Sequence, residues 1–194
     1  LLPKADHIRV VSSRIKNYLV EKLKIDNSKI EIKPISVDIE KIKNSPITID
    51  LHKKYPQFDK IILMASRLTH EKNINLAIEA MPSLIRANKR IGLVVVGSGP
   101  EEGSLKFKVK SLKLEKEIRF ENWVNQETLY SYYKTCNLFL LTSWYEGYGL
   151  TLVEAQASGC KIVSTDVGVA KEIGARIVEH NHSSVAREIL ESLK

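Results

Sequence analysis

Residues 137–165 read NLFLLTSWYEGYGLTLVEAQASGCKIVST, and the fold follows from how this stretch divides. Asn137 to Leu141 is a short, unbroken apolar run, which is how a strand covered on both faces reads. Gly147 and Gly149 then permit a tight turn and close approach of backbone to a ligand. A helical pattern opens at Gly149 or Leu150 and runs to Ser158, and Lys161 to Ser164 is a second apolar strand. Strand, glycine turn, helix and strand in this order compose one unit of a parallel sheet.

The same alternation continues outward from this stretch. Further strands are expected at Ile8 to Val11, Lys29 to Lys33, Lys60 to Ala65, Ile91 to Val96 and Glu117 to Phe120. Helical patterns cover Arg14 to Leu23, Asn75 to Asn88, Glu101 to Leu112, Gln126 to Lys134 and Ser184 to Leu193. Pro82 interrupts the second of these, so a kink or a tight first turn is expected there. The fold class is α/β, a Rossmann-like parallel sheet with helices on both faces. Pro34 to Gln57 breaks the rhythm with three prolines and little periodicity, and reads as a loop or junction. Residues 59–194 form the main domain. Residues 1–58 form a junction and a βα piece that packs on it and could complete its edge.

Of the 194 residues, 43% are hydrophobic and 27% charged, which excludes collagen-like, low-complexity and disordered classes. Apolar runs stop at strand length, far short of the roughly 18 residues of a membrane span. Cys136 and Cys160 are too few for a disulfide framework, and a reducing, cytoplasmic setting is expected. No secretory leader is read at Leu1 to Asp6, and the lack of an initiator Met suggests a piece of something larger. A formal net charge of +7 favours an anionic partner: a polyanion, a phosphate-bearing ligand or the cytoplasmic face of a membrane.

Ligands of open parallel sheets sit beyond the carboxyl ends of the strands, where helix N-termini aim N–H groups outward. After Ala65, Arg67 and Lys72 flank a loop entering the next helix, a good place for a diphosphate, although an exposed pair also reads as ordinary solvated charge. His70 between them reads as a polar loop residue, and no histidine has a second ligand at metal-binding spacing. After Val96, Gly97-Ser98-Gly99-Pro100 reads as a strand-to-helix turn that leaves room for a ligand; it lacks the third glycine of a dinucleotide fingerprint. After Leu141, Glu146 precedes the helix and Glu154 lies one turn inside it. Dipole compensation is the plain reading of Glu154. A ribose diol is the other, since two adjacent hydroxyls can donate to one carboxylate.

In this order and spacing, Arg67 and Lys72, the Gly97/Gly99 turn and Glu146-Gly147-Tyr148-Gly149 through Glu154 resemble the retaining GT-B glycosyltransferases of the GT4 type. Glu154-Ala155-Gln156-Ala157-Ser158-Gly159 and Lys161 to Gly168 extend the likeness, which is strong from Lys60 to Ile173. Ser66, Trp123, Lys161 and Val169 depart from the residues usual in that group. The resemblance implies a C-terminal domain that binds a nucleoside-diphosphate sugar, UDP-linked or of the GDP-mannose type. It implies that Arg67, Lys72, Leu150 and Thr151 hold the diphosphate, Glu154 the ribose, and backbone near Val124 the base. Gly147, Tyr148 and Gly149 would contact the donor sugar, with Glu146 beside it as the catalytic position. No metal or other cofactor is implied. The resemblance further implies an N-terminal acceptor domain outside these residues, with a sugar, lipid-linked or protein acceptor left unspecified, and peripheral membrane association is compatible with it.

Other classes remain open. A nucleotide-sugar epimerase shares the fold, and a binding module without transferase activity would need the same cleft. Lys106, Lys110 and Lys113 fall on one helix face, but they read as a solvated face, and no nucleic-acid partner is expected.

Overall fold

The computed structural model describes residues 4–194. Its centre is a six-stranded sheet with β3 (Lys60–Ala65), β4 (Ile91–Val96), β5 (Ile118–Glu121), β6 (Leu138–Leu141), β7 (Ile162–Thr165) and β8 (Arg176–Val178). The strands lie in the order β5-β4-β3-β6-β7-β8, and every pairing is parallel. The strand order therefore reverses between β3 and β6, as in doubly wound nucleotide-binding sheets.

Alternate residues of each central strand feed different cores. Ile62 and Met64 of β3, Leu93 and Val95 of β4, and Leu138 and Leu140 of β6 pack under α4 (Ile74–Ala87), α5 (Glu102–Ser111) and α8 (His182–Ser192). Ile61 and Leu63 of β3, Val94 of β4 and Phe139 of β6 pack on the other face, under α6 (Gln126–Thr135) and α7 (Leu150–Ala157). Both faces are covered, which is why these strands read as continuous apolar runs rather than alternating ones.

Three expectations need correction, and one strand was not expected. The stretch from Pro34 to Gln57 is not a plain loop: it holds α2 (Ile39–Asn44) and α3 (Leu51–Lys54). Each helix is capped by an aspartate, Asp38 accepting from the Lys41 N–H and Asp50 from those of His52 and Lys53. Ile42 and Leu51 are fully buried in the core beneath α6 and α7, so the segment is part of the main body. Lys54 Nζ and the hydroxyls of Tyr55 and Tyr132 all donate to Glu121 at 2.6 Å, pinning α3 and α6 to the end of β5.

Second, the N-terminal piece does not extend the main sheet. β1 (Ile8–Val10) and β2 (Ile30–Ile32) pair in parallel with each other, and with α1 (Ser13–Glu21) they close a small core of Ile8, Val10, Leu19, Ile25 and Ile30. This unit touches the rest through Arg14 to Asp166 at 2.9 Å and the Ser13 N–H to Glu172 at 3.3 Å. Third, Pro82 does not sit in a first turn: it is an interior residue of α4, which runs from Ile74 to Ala87. Finally, β8 went unread in the sequence because it has only three residues and begins with an exposed arginine.

Candidate functional site

The reversal between β3 and β6 leaves a cleft at their carboxyl ends. From β3 the chain crosses Ser66 to Asn73, with a short 3₁₀ turn at His70–Lys72, and enters α4 on one face of the sheet. From β6 it crosses Thr142 to Gly149 and enters α7 on the other. Between them opens a cleft of about 330 Å³, lined by Ile35, Ala65, Ser66, Arg67, Lys72, Trp123, Glu146, Tyr148, Gly149, Leu150 and Thr151.

The two loops are laced together. Thr142 Oγ1 donates to the carbonyls of Lys72 and Asn73 at 3.2 and 2.9 Å, and the Trp144 N–H donates to the Glu71 carbonyl at 2.8 Å. At the cleft floor Lys72 Nζ lies 2.7 Å from Glu146 Oε1, with the two side chains only 14% and 12% exposed. Ser143 Oγ donates to the same carboxylate oxygen at 2.7 Å. Arg67 differs: its side chain is 69% exposed and meets Glu71 at 3.4 Å. An exposed contact of that kind holds little energy, so Arg67 is free to reorient toward an anion.

Glycine decides the shape at two points. Gly149 adopts φ +88° as it caps α7, a conformation costly for any residue with a Cβ, and this turns the first N–H groups of α7 to the cleft. At Gly97, with φ +138°, a Cβ would stand 1.9 Å from the Ser66 carbonyl oxygen, so the turn after β4 packs directly against the turn after β3.

Seven of the residues singled out in the sequence line this cleft: Arg67, Lys72, Glu146, Tyr148, Gly149, Leu150 and Thr151. Val124 lines a smaller adjoining slot of about 60 Å³ with Val96, Trp123, Leu129 and Thr151. Gly147 lies in the loop without lining either space, and its α-carbon faces open volume. Glu154 also lines neither. One helical turn below Leu150 and Thr151, its carboxyl sits near Gln126 and Tyr133; burial raises its pKa and those two neighbours pull it back. Ile35 and Trp123 complete the cleft wall but were not sequence candidates for it: Ile35 carries no local signal, and Trp123 stood out only as a departure from a family pattern. Glu71, which meets Arg67, lies outside the cleft lining.

The arrangement offers two cations and a helix N-terminus around a cleft whose one buried carboxylate is already paired. It can take a doubly charged anion against Arg67, Lys72 and the N–H groups of α7. The adjoining apolar slot can take a flat ring. Among the described residues, no three His, Cys, Asp or Glu side chains converge as a metal site, and no helix is long and apolar enough to cross a membrane.

An uncharacterized glycosyltransferase of Methanocaldococcus jannaschii is 35% identical over 116 residues, covering 59% of this chain and 29% of that protein. Mannosylfructose-phosphate synthase of Agrobacterium fabrum is 36% identical over 114 residues, covering 55% of this chain and 25% of the relative. The chain thus spans well under half of the curated relatives it matches. Among solved structures, Anabaena HepE in complex with UDP and glucose superposes with a TM-score of 0.83 at 19% identity, over 98% of this chain and 54% of HepE, which establishes the shared fold. The family model described as glycosyl transferases group 1 matches residues 49–191, and the chain belongs to that family.

Proposed function

We propose that the β3–β6 cleft is the donor site of a retaining glycosyltransferase and binds a nucleoside-diphosphate sugar without a metal ion. The observation that carries this reading is the buried Lys72–Glu146 pair beneath Arg67 and the opening of α7. Two cations and a helix N-terminus suit a diphosphate, and the carboxylate suits the neighbouring sugar.

In this reading the diphosphate draws Lys72 away from Glu146, and Arg67 swings from Glu71 to the same phosphates. As the glycosidic bond breaks, negative charge grows on the leaving diphosphate, where Arg67, Lys72 and the N–H groups of Leu150 and Thr151 stabilise it. Glu146, released from Lys72, faces the sugar with Gly147, Tyr148 and Gly149. The base enters the slot beside Val124 and Trp123. Glu154 accepts from the ribose hydroxyls after its side chain swings up one turn of α7. HepE, solved with UDP and glucose, supports a nucleotide-sugar ligand for this fold.

The acceptor is held by another part of the protein in this proposal. A cleft walled by one domain neither fixes an acceptor hydroxyl at the anomeric carbon nor keeps water out, and such positioning supplies several kcal/mol of a transfer barrier. The chain alone should bind donor and transfer no sugar. Trp123 at the cleft edge provides the test. Titration with UDP, GDP or ADP in the presence of a chelator should change its fluorescence saturably for at least one nucleotide, with the change lost in Trp123→Phe. A flat response to all three would contradict the proposal.

A further inference from the structure

The two cysteines, 24 residues apart in the chain, meet at the end of the sheet opposite the cleft. Cys136 ends α6 just before β6, and Cys160 lies in the turn between α7 and β7. Their Sγ atoms are 3.3 Å apart and both are free thiols. They open into a cavity of about 260 Å³ whose wall includes Lys60, Lys134 and Lys161. Among the described residues, none of these lysines is paired with a carboxylate; Lys134 and Lys161 reach only backbone carbonyls and the Ser45 hydroxyl. Cys160 is partly exposed at this cavity, so a disulfide reagent can reach its sulfur. The same lysines attract an anionic disulfide such as oxidised glutathione.

We propose that Cys136 and Cys160 form a reversible redox site, closing an intramolecular disulfide by exchange with a glutathione-type disulfide. Cys160, in the more open turn, loses its proton to solvent, and its thiolate attacks one sulfur of oxidised glutathione. One glutathione thiolate leaves. Cys136 then loses its proton and attacks Cys160 Sγ in the mixed disulfide, expelling the second glutathione. The cysteines give up two electrons, and oxidised glutathione is reduced to two thiols. Burial raises the Cys136 thiol pKa, so the second step relies on the 3.3 Å proximity of the two sulfurs rather than on a ready thiolate. The closed loop contains the whole β6–α7 segment, so the bond restricts the unfolded chain.

The test incubates the purified chain with oxidised glutathione and reads intact mass and free thiols without reductant. The expected result is a monomer lighter by two hydrogens, with no titratable thiol, restored by dithiothreitol. Its unfolding midpoint should lie about 5 °C or more above that of the reduced form. Cys136→Ser should stop at one glutathione adduct on Cys160. Persistent glutathione adducts on the wild-type chain, disulfide-linked dimers, or two free thiols after prolonged oxidation would each overturn the proposal.

Discussion

Replacing Lys72 by methionine separates what the cleft does for the fold from what it does for a ligand. The change keeps side-chain length and removes the ammonium that sits 2.7 Å from Glu146. Removing one partner of a buried pair costs about 3–5 kcal/mol, because the other charge is left uncompensated. Ser143 still donates to Glu146, and neither side chain is completely buried, so the lower end, about 3 kcal/mol, is expected. For a chain of this size that is a fall of about 6–12 °C in unfolding midpoint. Adding Glu146→Gln removes the stranded charge, so the double variant should regain most of the loss. UDP affinity behaves differently. A hydrogen bond to a charged group contributes about 1.5–3 kcal/mol, so both the single and the double variant should bind about 10- to 150-fold more weakly. Thermal unfolding and calorimetry on the four proteins of the cycle measure both quantities. A double variant no more stable than Lys72→Met would refute the buried-pair reasoning, and unchanged UDP affinity in Lys72→Met would refute the diphosphate assignment.

Other outcomes follow from the same geometry. Glu154, whose carboxyl is raised by burial, takes up a proton more readily in the folded chain than in the unfolded one. It therefore subtracts stability as pH rises from its ordinary value of 4.5 through the folded value. Glu154→Gln should remove that decline, measured by urea unfolding across pH, while weakening UDP more than 2′-deoxy-UDP. Glu121 has the opposite sign: burial raises its pKa, but donation from Lys54, Tyr132 and Tyr55 outweighs it and leaves the carboxyl low. Its stabilisation is present above its ordinary value of 4.5 and lost as pH falls through the folded value, so Glu121→Gln should flatten the acid limb of the unfolding curve. Gly149→Ala places a side chain at φ +88° with its Cβ 2.9 Å from Leu152 Cδ1, and should cost about 1–2 kcal/mol in thermal unfolding. Incubation of the chain with UDP-sugars and simple acceptors should give no transfer product by mass spectrometry.

The central sheet was legible because burial on both faces writes itself into sequence as runs such as Ile61 to Ala65 and Leu138 to Leu141. The cleft loops were legible for a second reason: ligands of such sheets gather at strand ends, which is where Arg67, Lys72 and Glu146 lie. Short helices were harder. α2 and α3 span too few residues for periodicity to show, and three prolines around them masked the capping aspartates Asp38 and Asp50 that mark where each begins. Pairings distant in sequence were not readable. Nothing local says that Lys72 meets Glu146, 74 residues on, or that Cys136 meets Cys160. The position of Glu154, turned toward α6 rather than into the cleft, is likewise a product of packing and not of the motif.

The proposed donor site requires a nucleoside diphosphate to enter the β3–β6 cleft against Lys72 and Arg67. Isothermal titration of the chain with UDP, GDP and ADP in the presence of EDTA tests this most directly, with Arg67→Ala and Lys72→Met measured beside the wild type. The account predicts saturable one-to-one binding of at least one nucleotide, weakened about tenfold or more in each variant. Absence of binding for all three nucleotides, or binding that survives undiminished in both variants, would contradict it.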